Sequence, residues 1–288
     1  MTKRPHLLNY LSLVKFSHTI FAMPFAIIGF FLAVRHDQYL FSWSIFIAVI
    51  LCMVFARTAA MAFNRYVDRE IDGKNPRTAL REIPRGIIHP KSALRLTIVS
   101  SLLFIATTWF INPLVFKLSP VALLIILGYS FTKIFTTWSH LVLGLGLSLA
   151  PVGAYLAVTS KFALLPVLYA LVVIFWVSGF DILYALQDEW FDRQENLRSV
   201  PVRFGRKKSL AISGVLHFVS GGMVILAGYY GDFGLLYWIG SFIFLGLLVY
   251  QHVILSSDDI SRLNTAFFTT NGIASVLFAL FFLAEMYI

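Results

Sequence analysis

Residues 162–192 read FALLPVLYALVVIFWVSGFDILYALQDEWFD, an apolar run that ends in a cluster of carboxylates. The uncharged part is longer than the roughly 18 residues that cross the hydrocarbon core of a bilayer as a helix. A second apolar run ends in NRYVDREID, residues 64–72. The two clusters hold seven of the 14 Asp and Glu residues in the chain. Because carboxylates beside a bilayer are costly to desolvate, their concentration at two places indicates a function.

The composition is that of an integral membrane protein. Of the 288 residues, 59% are hydrophobic and 13% charged, and the mean hydropathy is +0.81, which exceeds what a soluble domain of this length could bury. The single cysteine, Cys52, excludes an internal disulfide framework and a metal site built from several cysteines. We expect an all-α polytopic protein with one transmembrane domain over residues 1–288. Nine apolar segments predict its membrane spans, near residues 16–34, 41–66, 92–111, 114–131, 138–158, 162–184, 208–230, 233–254 and 265–287.

The basic residues predict the orientation of these spans. If the N-terminus lies inside, the outer loops hold only Arg35, Lys117 and Lys161. Since Lys and Arg collect in cytoplasmic loops, we expect the N-terminus and both acidic clusters on the cytoplasmic side. The net charge of +9 requires no nucleic-acid partner, because orientation, anionic lipid and a phosphorylated substrate each account for basic residues in loops.

The acidic residues recur at helical spacing, which suggests metal binding. Asn64, Asp68 and Asp72 would share one face of a helix, since each is four residues from the next. The second cluster has the spacing i, i+3, i+7 and i+11 in Asp181, Tyr184, Asp188 and Asp192. Oxygen ligands without neighbouring His or Cys favour Mg²⁺ over zinc or copper. Facing each other, the two sets could hold about two Mg²⁺ ions that bridge a diphosphate. Four nearby cations could neutralise the rest of its charge: Lys74, Arg77, Lys133 and Arg198.

Other interpretations compete with a diphosphate site. A charged helix end is often a solvated cap, but two clusters on one side with matched spacing disfavour this interpretation. A transporter would place its acids near the bilayer midplane, and a phosphotransferase that uses CDP-alcohols has its acids in one motif with glycines. Arg57 either binds an anionic group of a substrate or pairs with Asp68 or a backbone carbonyl. We interpret His140 as a packing residue.

These motifs resemble those of the UbiA superfamily of intramembrane aromatic prenyltransferases, especially its 4-hydroxybenzoate polyprenyltransferase branch. Its NxxxDxxxD motif is present from Asn64 to Asp72, and its DxxYAxQDxxxD motif from Asp181 to Asp192. Residues 199–205 and 129–144 are similar to two further family segments. The chain departs from the family twice. Residues 81–86 read REIPRG where many relatives have RPLPxG, and Ile134 replaces the Arg of a Lys-Arg pair.

The resemblance implies a fold and a reaction. The fold has nine helices around a central cavity, with capping loops on the cytoplasmic side. In the reaction, Mg²⁺ assists the departure of pyrophosphate from an allylic polyprenyl diphosphate, and an electron-rich aromatic acid attacks the allyl cation and loses a proton. The expected setting is respiratory quinone biosynthesis in the lipid bilayer of a bacterial inner membrane. The acceptor stays open between 4-hydroxybenzoate, a futalosine-type menaquinone intermediate and dihydroxynaphthoate.

The same resemblance implies roles for the site residues. Metal ligation would fall to Asn64, Asp68, Asp72, Asp188 and Asp192. Tyr184 would shield the allyl cation or hydrogen-bond a phosphate. Asp181 would orient Tyr184 or accept the ring proton, and Arg57 would bind the carboxylate of the acceptor.

Overall fold

The computed structural model describes residues 6–14 and 22–288 of the chain, and this part is helical without strands. Lys3, Arg4, Lys15 and the beginning of the first predicted span lie outside the described residues. Helices α1 to α12 are, in chain order, His6–Leu13, Met23–Phe31, Trp43–Val67, Arg69–Lys74, Pro90–Trp109, Pro113–Phe135, Ser139–Thr159, Leu164–Ala185, Glu189–Gln194, Val200–Tyr230, Leu235–Val253 and Asn271–Glu285. Three tighter or wider turns accompany them: a π-helical turn at Leu32–His36, a 3₁₀ turn at Leu186–Asp188 and a π-helical turn at Thr265–Thr270.

Eight helical segments of the described chain are long and apolar enough to cross a membrane: Trp43–Val67, Pro90–Trp109, Pro113–Phe135, Ser139–Thr159, Leu164–Gln194, Val200–Tyr230, Leu235–Val253 and Thr265–Glu285. A shorter apolar helix covers Met23–His36, which overlaps the first predicted span and extends two residues past it. The predicted count of about nine is therefore close, and the chain is an integral membrane protein. The largest difference in bounds is in α10, which begins at Val200 and not near residue 208, because its first turns carry charged residues that an apolar window excludes.

Local sequence explains where several spans begin. The side chains of Ser42, Asn112 and Ser199 each accept a hydrogen bond from the backbone N–H three residues on, which satisfies a donor that the helix leaves free. Pro113 and Pro201 follow in the first turn, where the missing N–H of proline costs nothing. Polar caps and prolines therefore set where these helices begin.

The bundle is packed around α8, which is the most buried of the spans and lies against α7 and α10. Small residues permit this close approach, as is common between helices in membranes. A Cβ atom at Gly29 of α2 would lie 2.1 Å from the carbonyl oxygen of Pro151 in α7. At Gly144 of α7 it would lie 2.5 Å from the carbonyl oxygen of Ile174 in α8. These contacts fix α2, α7 and α8 against one another.

Both acidic motifs begin inside a long helix and continue past its end. Helix α3 ends at Val67, and Asp68 stands between it and α4. Helix α8 ends at Ala185, and Asp188 closes the 3₁₀ turn before α9. The prediction of one uninterrupted helix through each motif is therefore wrong. The interruption is a single residue at Asp68 in the first motif and one 3₁₀ turn, Leu186–Asp188, in the second.

Candidate active site

The two motifs meet through Arg77, which lies in the loop after α4. Its guanidinium donates two hydrogen bonds to the Asp188 carboxylate, from Nε to Oδ1 at 2.9 Å and from Nη2 to Oδ2 at 2.5 Å. Asn75 Nδ2 donates to the same Oδ1 at 3.0 Å. Asn75 Oδ1 accepts a hydrogen bond from the backbone N–H of Arg77 at 2.9 Å. This local turn places the side chains of Asn75 and Arg77 so that both donate to Asp188. These bonds bring the ends of α3 and α8 to one end of the bundle.

Asp68 is buried and is partnered on one oxygen only. Its Oδ2 accepts from Asn64 Nδ2 at 3.1 Å and lies 2.7 Å from Lys133 Nζ. Its Oδ1 is buried and has no hydrogen-bond partner. Burial raises the pKa of the Asp68 carboxyl above its usual range, although the Lys133 ammonium opposes that shift. A further cation beside Oδ1 would favour the ionised form of Asp68.

Asp72 is held by a residue that the sequence did not identify as part of the site. Arg81 Nη1 donates to both carboxylate oxygens, at 2.7 and 2.8 Å. Thr78 Oγ1 donates to the backbone carbonyl of Asp72 at 3.0 Å, which folds the loop back onto α4. Gly86, with φ of +71°, makes the turn that ends this loop. Arg81 is the first residue of the REIPRG run and coincides with the first residue of the RPLPxG segment that many relatives have, which was the signal available for it.

Tyr184 and Asp192 complete the group around Asp188. The Tyr184 hydroxyl accepts from Arg77 Nη1 at 3.3 Å, and its ring stacks on Phe267 with 4.1 Å between centroids. The charged and titratable groups that act on Asp192 are Asp188, Lys133, Arg77 and His140. Residues from both motifs and from α6 therefore surround one polar region.

Asp181 contacts His140 of α7, with 2.7 Å between its Oδ2 and Nδ1. His140 Nε2 accepts a hydrogen bond from the backbone N–H of Val200 at 3.4 Å. The ring proton is therefore on Nδ1, which donates a hydrogen bond to the Asp181 carboxylate. His140 is buried, and its contact with Asp181 goes beyond the packing role that we expected. Neither the spacing nor the composition of the sequence relates residue 140 to residue 181, so only the fold reveals this pair.

The cations expected to bind diphosphate fall into two groups. Arg77 and Lys133 contact the carboxylates, as described above. Lys74 instead pairs with Glu195 at 2.6 Å, and Arg198 donates to the backbone carbonyl of Phe135 at 2.7 Å. The backbone N–H of Arg198 also donates to the carbonyl of Lys133 at 2.8 Å. Lys74 and Arg198 thus tie the loops together around the site.

Arg57 lies in α3, about two helical turns before Asn64. Its Nε is buried without a hydrogen-bond partner. A buried guanidinium with a free donor is suited to an anionic group such as a carboxylate. Neither of the alternatives that we considered, Asp68 or a backbone carbonyl, accepts from this Nε.

The site fits a hard cation that arrives with phosphate. Within residues 6–14 and 22–288, no three His, Cys, Asp or Glu side chains are close enough together to hold a metal ion. Mg²⁺ needs no such cage, since it is usually held by one or two carboxylates together with phosphate oxygens and water. The free Oδ1 of Asp68 and the oxygen-only donor set agree with that chemistry. Asn64, Asp68, Asp72, Asp188 and Asp192 are the residues that could supply it.

Comparison with known proteins identifies the family. Residues 22–282 match the model of the UbiA prenyltransferase family. The chain is 30% identical over 239 residues to a 4-hydroxybenzoate octaprenyltransferase of Vibrio campbellii, covering 82% of this chain and 83% of that protein. A protein of the same description from Aliivibrio fischeri is 31% identical over 243 residues, with 82% of each covered.

Solved structures show the same fold. The apo structure of a UbiA homologue from Aeropyrum pernix K1 superposes with a TM-score of 0.85 at 28% identity, covering 93% of this chain and 98% of that one. A UbiA homologue from Archaeoglobus fulgidus bound to GPP and Mg²⁺ gives 0.72 at 20% identity, covering 97% and 100%. The chain therefore belongs to the UbiA prenyltransferase family and is a membrane-embedded prenyltransferase.

Proposed function

We propose that this prenyltransferase moves a polyprenyl group from an allylic polyprenyl diphosphate to an aromatic acid of the 4-hydroxybenzoate type, in an Mg²⁺-dependent reaction of respiratory quinone biosynthesis. The observation that carries the proposal is the pairing of the two acidic motifs through Arg77 and Asp188, beside an Asp68 oxygen that has no partner. The names of the relatives from Vibrio campbellii and Aliivibrio fischeri, both 4-hydroxybenzoate octaprenyltransferases, support the acceptor and the polyprenyl donor.

Asp68, Asp72, Asp188 and Asp192, assisted by Asn64, are the proposed metal ligands. The structure of the Archaeoglobus fulgidus homologue with GPP and Mg²⁺ supports the choice of metal. Bound Mg²⁺ would neutralise charge on the diphosphate as it departs. We propose two ions because the carboxylates belong to two separate motifs.

The residues of the chain then act on the substrate by position and charge. Arg77 and Lys133 already lie against the carboxylates and can turn to the diphosphate oxygens, which stabilises charge that develops as the bond to carbon breaks. The Tyr184 ring faces the same region and can stabilise an allyl cation through its π-electrons. Because the His140 proton fixes Asp181 as an acceptor, this carboxylate is the candidate to take the ring proton.

Arg57 is the proposed partner of the acceptor carboxylate, because its Nε is a buried and unpaired donor. A phenol without a carboxylate offers this donor only a neutral hydroxyl oxygen, whereas a carboxylate accepts a stronger, charge-assisted hydrogen bond from it. The proposal therefore favours an aromatic acid. We further propose that residues 1–288 act as one transmembrane domain, with the N-terminus and the site on the cytoplasmic side of a bacterial inner membrane.

The direct test supplies the purified protein in liposomes with geranyl diphosphate, Mg²⁺ and one aromatic acid at a time. Mass spectrometry would measure prenylated acid and released pyrophosphate for 4-hydroxybenzoate, dihydroxynaphthoate and a futalosine-type intermediate. We expect the 4-hydroxybenzoate product to dominate and to vanish with a chelator. Preference for another of these acids would move the protein to that pathway, and no prenylated product with any acid would overturn the proposal.

A matched pair of variants tests the metal ligands. Asp68→Asn removes a charge from the cluster, while Glu70→Gln removes one from α4 at a side chain that is 80% exposed. We expect Asp68→Asn to abolish transfer in a folded protein and Glu70→Gln to retain it. Turnover by Asp68→Asn at ordinary Mg²⁺ concentration would exclude Asp68 as an essential ligand.

A further inference from the structure

The wide turn at Thr265–Thr270 lies directly behind the site. Its Phe267 stacks on Tyr184 and makes an edge contact with Phe180, at 5.2 Å between ring centroids. Phe268 packs on Tyr184 from a second direction at 5.8 Å. Tyr184 is thus held between Arg77 on one side and this turn on the other. π-helical turns are rare in proteins, and those that occur are often found at functional sites.

Asn271, the first residue of α12, holds the turn by its side chain. Its Nδ2 donates to the backbone carbonyls of Ala266 at 3.2 Å and Phe267 at 2.9 Å. Its Oδ1 accepts from Trp176 Nε1 and from Gln251 Nε2, both at 2.8 Å. All four hydrogen-bonding positions of the amide are therefore used.

The position of Asn271 explains why an amide is needed there. Asn271, Gln251 and Trp176 have no exposed surface, and they connect α12, α11 and α8. The backbone N–H of Asn271 bonds to the carbonyl of Phe268, and its side-chain amide adds the bonds to the carbonyls of Ala266 and Phe267. In an apolar bundle an unpaired carbonyl is unfavourable. Aspartate at position 271 would lack the two N–H donors to the carbonyls of the turn. Leucine would lack these donors and also the acceptor for Trp176 and Gln251.

We infer that Asn271 is a positioning residue, which sets the wide turn so that Phe267 holds the Tyr184 ring against the reacting allyl group. The inference rests on the proposed function. A displaced ring would leave the allyl cation open to water. Water would then attack the allyl cation and form a C–O bond, in place of the C–C bond to the aromatic acid. The products would be prenyl alcohol, pyrophosphate and a proton. The partition between prenylated acid and prenyl alcohol therefore reports on the position of Tyr184.

The test uses Asn271→Leu, Phe267→Leu and the double variant in liposomes with geranyl diphosphate, Mg²⁺ and 4-hydroxybenzoate. For each single variant we expect kcat to fall by about tenfold, because small displacements of reacting groups carry costs of that order or more. KM for the diphosphate should change by less than about twofold, since the carboxylates and Arg77 remain. The share of prenyl alcohol should rise several-fold. The double variant should be no worse than Phe267→Leu, because both changes act through the same contact.

Glu285→Gln, at the other end of α12, is the control for general destabilisation and should leave the partition unchanged. If Asn271→Leu does not fold, Gln251→Met removes a single donor to Asn271 and should shift the partition in the same direction. An unchanged partition in the folded variants, or independent additive losses in the double variant, would overturn the inference. Absence of any prenylated product from the unmodified protein would instead overturn the proposed function.

Discussion

Replacing Arg77 by lysine tests whether the two motifs are joined by geometry as well as charge. Lysine keeps the positive charge, but it cannot form the two parallel bonds that the guanidinium makes with Asp188. It also cannot reach Asp188 and the Tyr184 hydroxyl from one planar group. We expect Arg77→Lys to lower kcat/KM for the diphosphate substrate in a folded protein.

The structure sets the size of the effect. Hydrogen bonds to a charged partner contribute about 1.5–3 kcal/mol, and the Arg77 and Asp188 side chains are 33% and 15% exposed. After allowance for solvent screening, the loss of one of these bonds corresponds to about 1–2 kcal/mol. That free energy is a factor of about 5–30 in an equilibrium or rate ratio.

Lys74→Gln is the matched control, because Lys74 was also predicted to bind the diphosphate but pairs with Glu195 and is 61% exposed. An exposed ion pair contributes at most about 1 kcal/mol, so kcat/KM should fall by less than about fivefold. The assay is initial velocity against diphosphate concentration in liposomes at fixed Mg²⁺. Equal losses in both variants, or full activity in Arg77→Lys, would refute the distinction between the two cations.

Three further changes have defined outcomes. Asp188→Asn should reduce turnover by about 10²–10³-fold, the cost of losing one preorganised electrostatic contact, and a rate near that of the unmodified protein would contradict its role. Glu285 accepts from three backbone N–H groups at the start of α11 at 2.8, 3.0 and 3.3 Å, so Glu285→Gln should lower the melting temperature by about 2–6 °C with unchanged KM. Gly29→Val should prevent accumulation of folded protein, since the Cβ atom would clash with Pro151. The control Gly153→Val should fold, because there is open space at this position. Equal yields of folded protein from the two variants would argue against the close α2–α7 contact.

Much of the fold follows from composition and helix periodicity. Apolar length predicted the spans, and capping side chains such as Ser42 and Asn112 set their beginnings locally. The bounds failed where charge and helix coincide, as at Val200, because hydropathy measures burial in lipid and not backbone conformation. The helix breaks at Asp68 and Asp188 were also missed, since helical spacing cannot register a turn of one residue.

The site divides in the same way. Spacing identified Asn64, Asp68 and Asp72 because their relation is local, within two turns of chain. It could not separate Arg77, which contacts Asp188 111 residues away, from Lys74, because both are basic residues in one loop.

The sequence by itself determined that this is a membrane protein with two acidic motifs whose residue types suit Mg²⁺ and diphosphate, since those properties reside in the residues and their near neighbours. Only the tertiary structure decided which cation meets which carboxylate, that Asp68 keeps an unpaired oxygen, and that Asn271 supports the turn behind Tyr184. These are contacts between distant parts of the chain, and they exist only once the helices have packed.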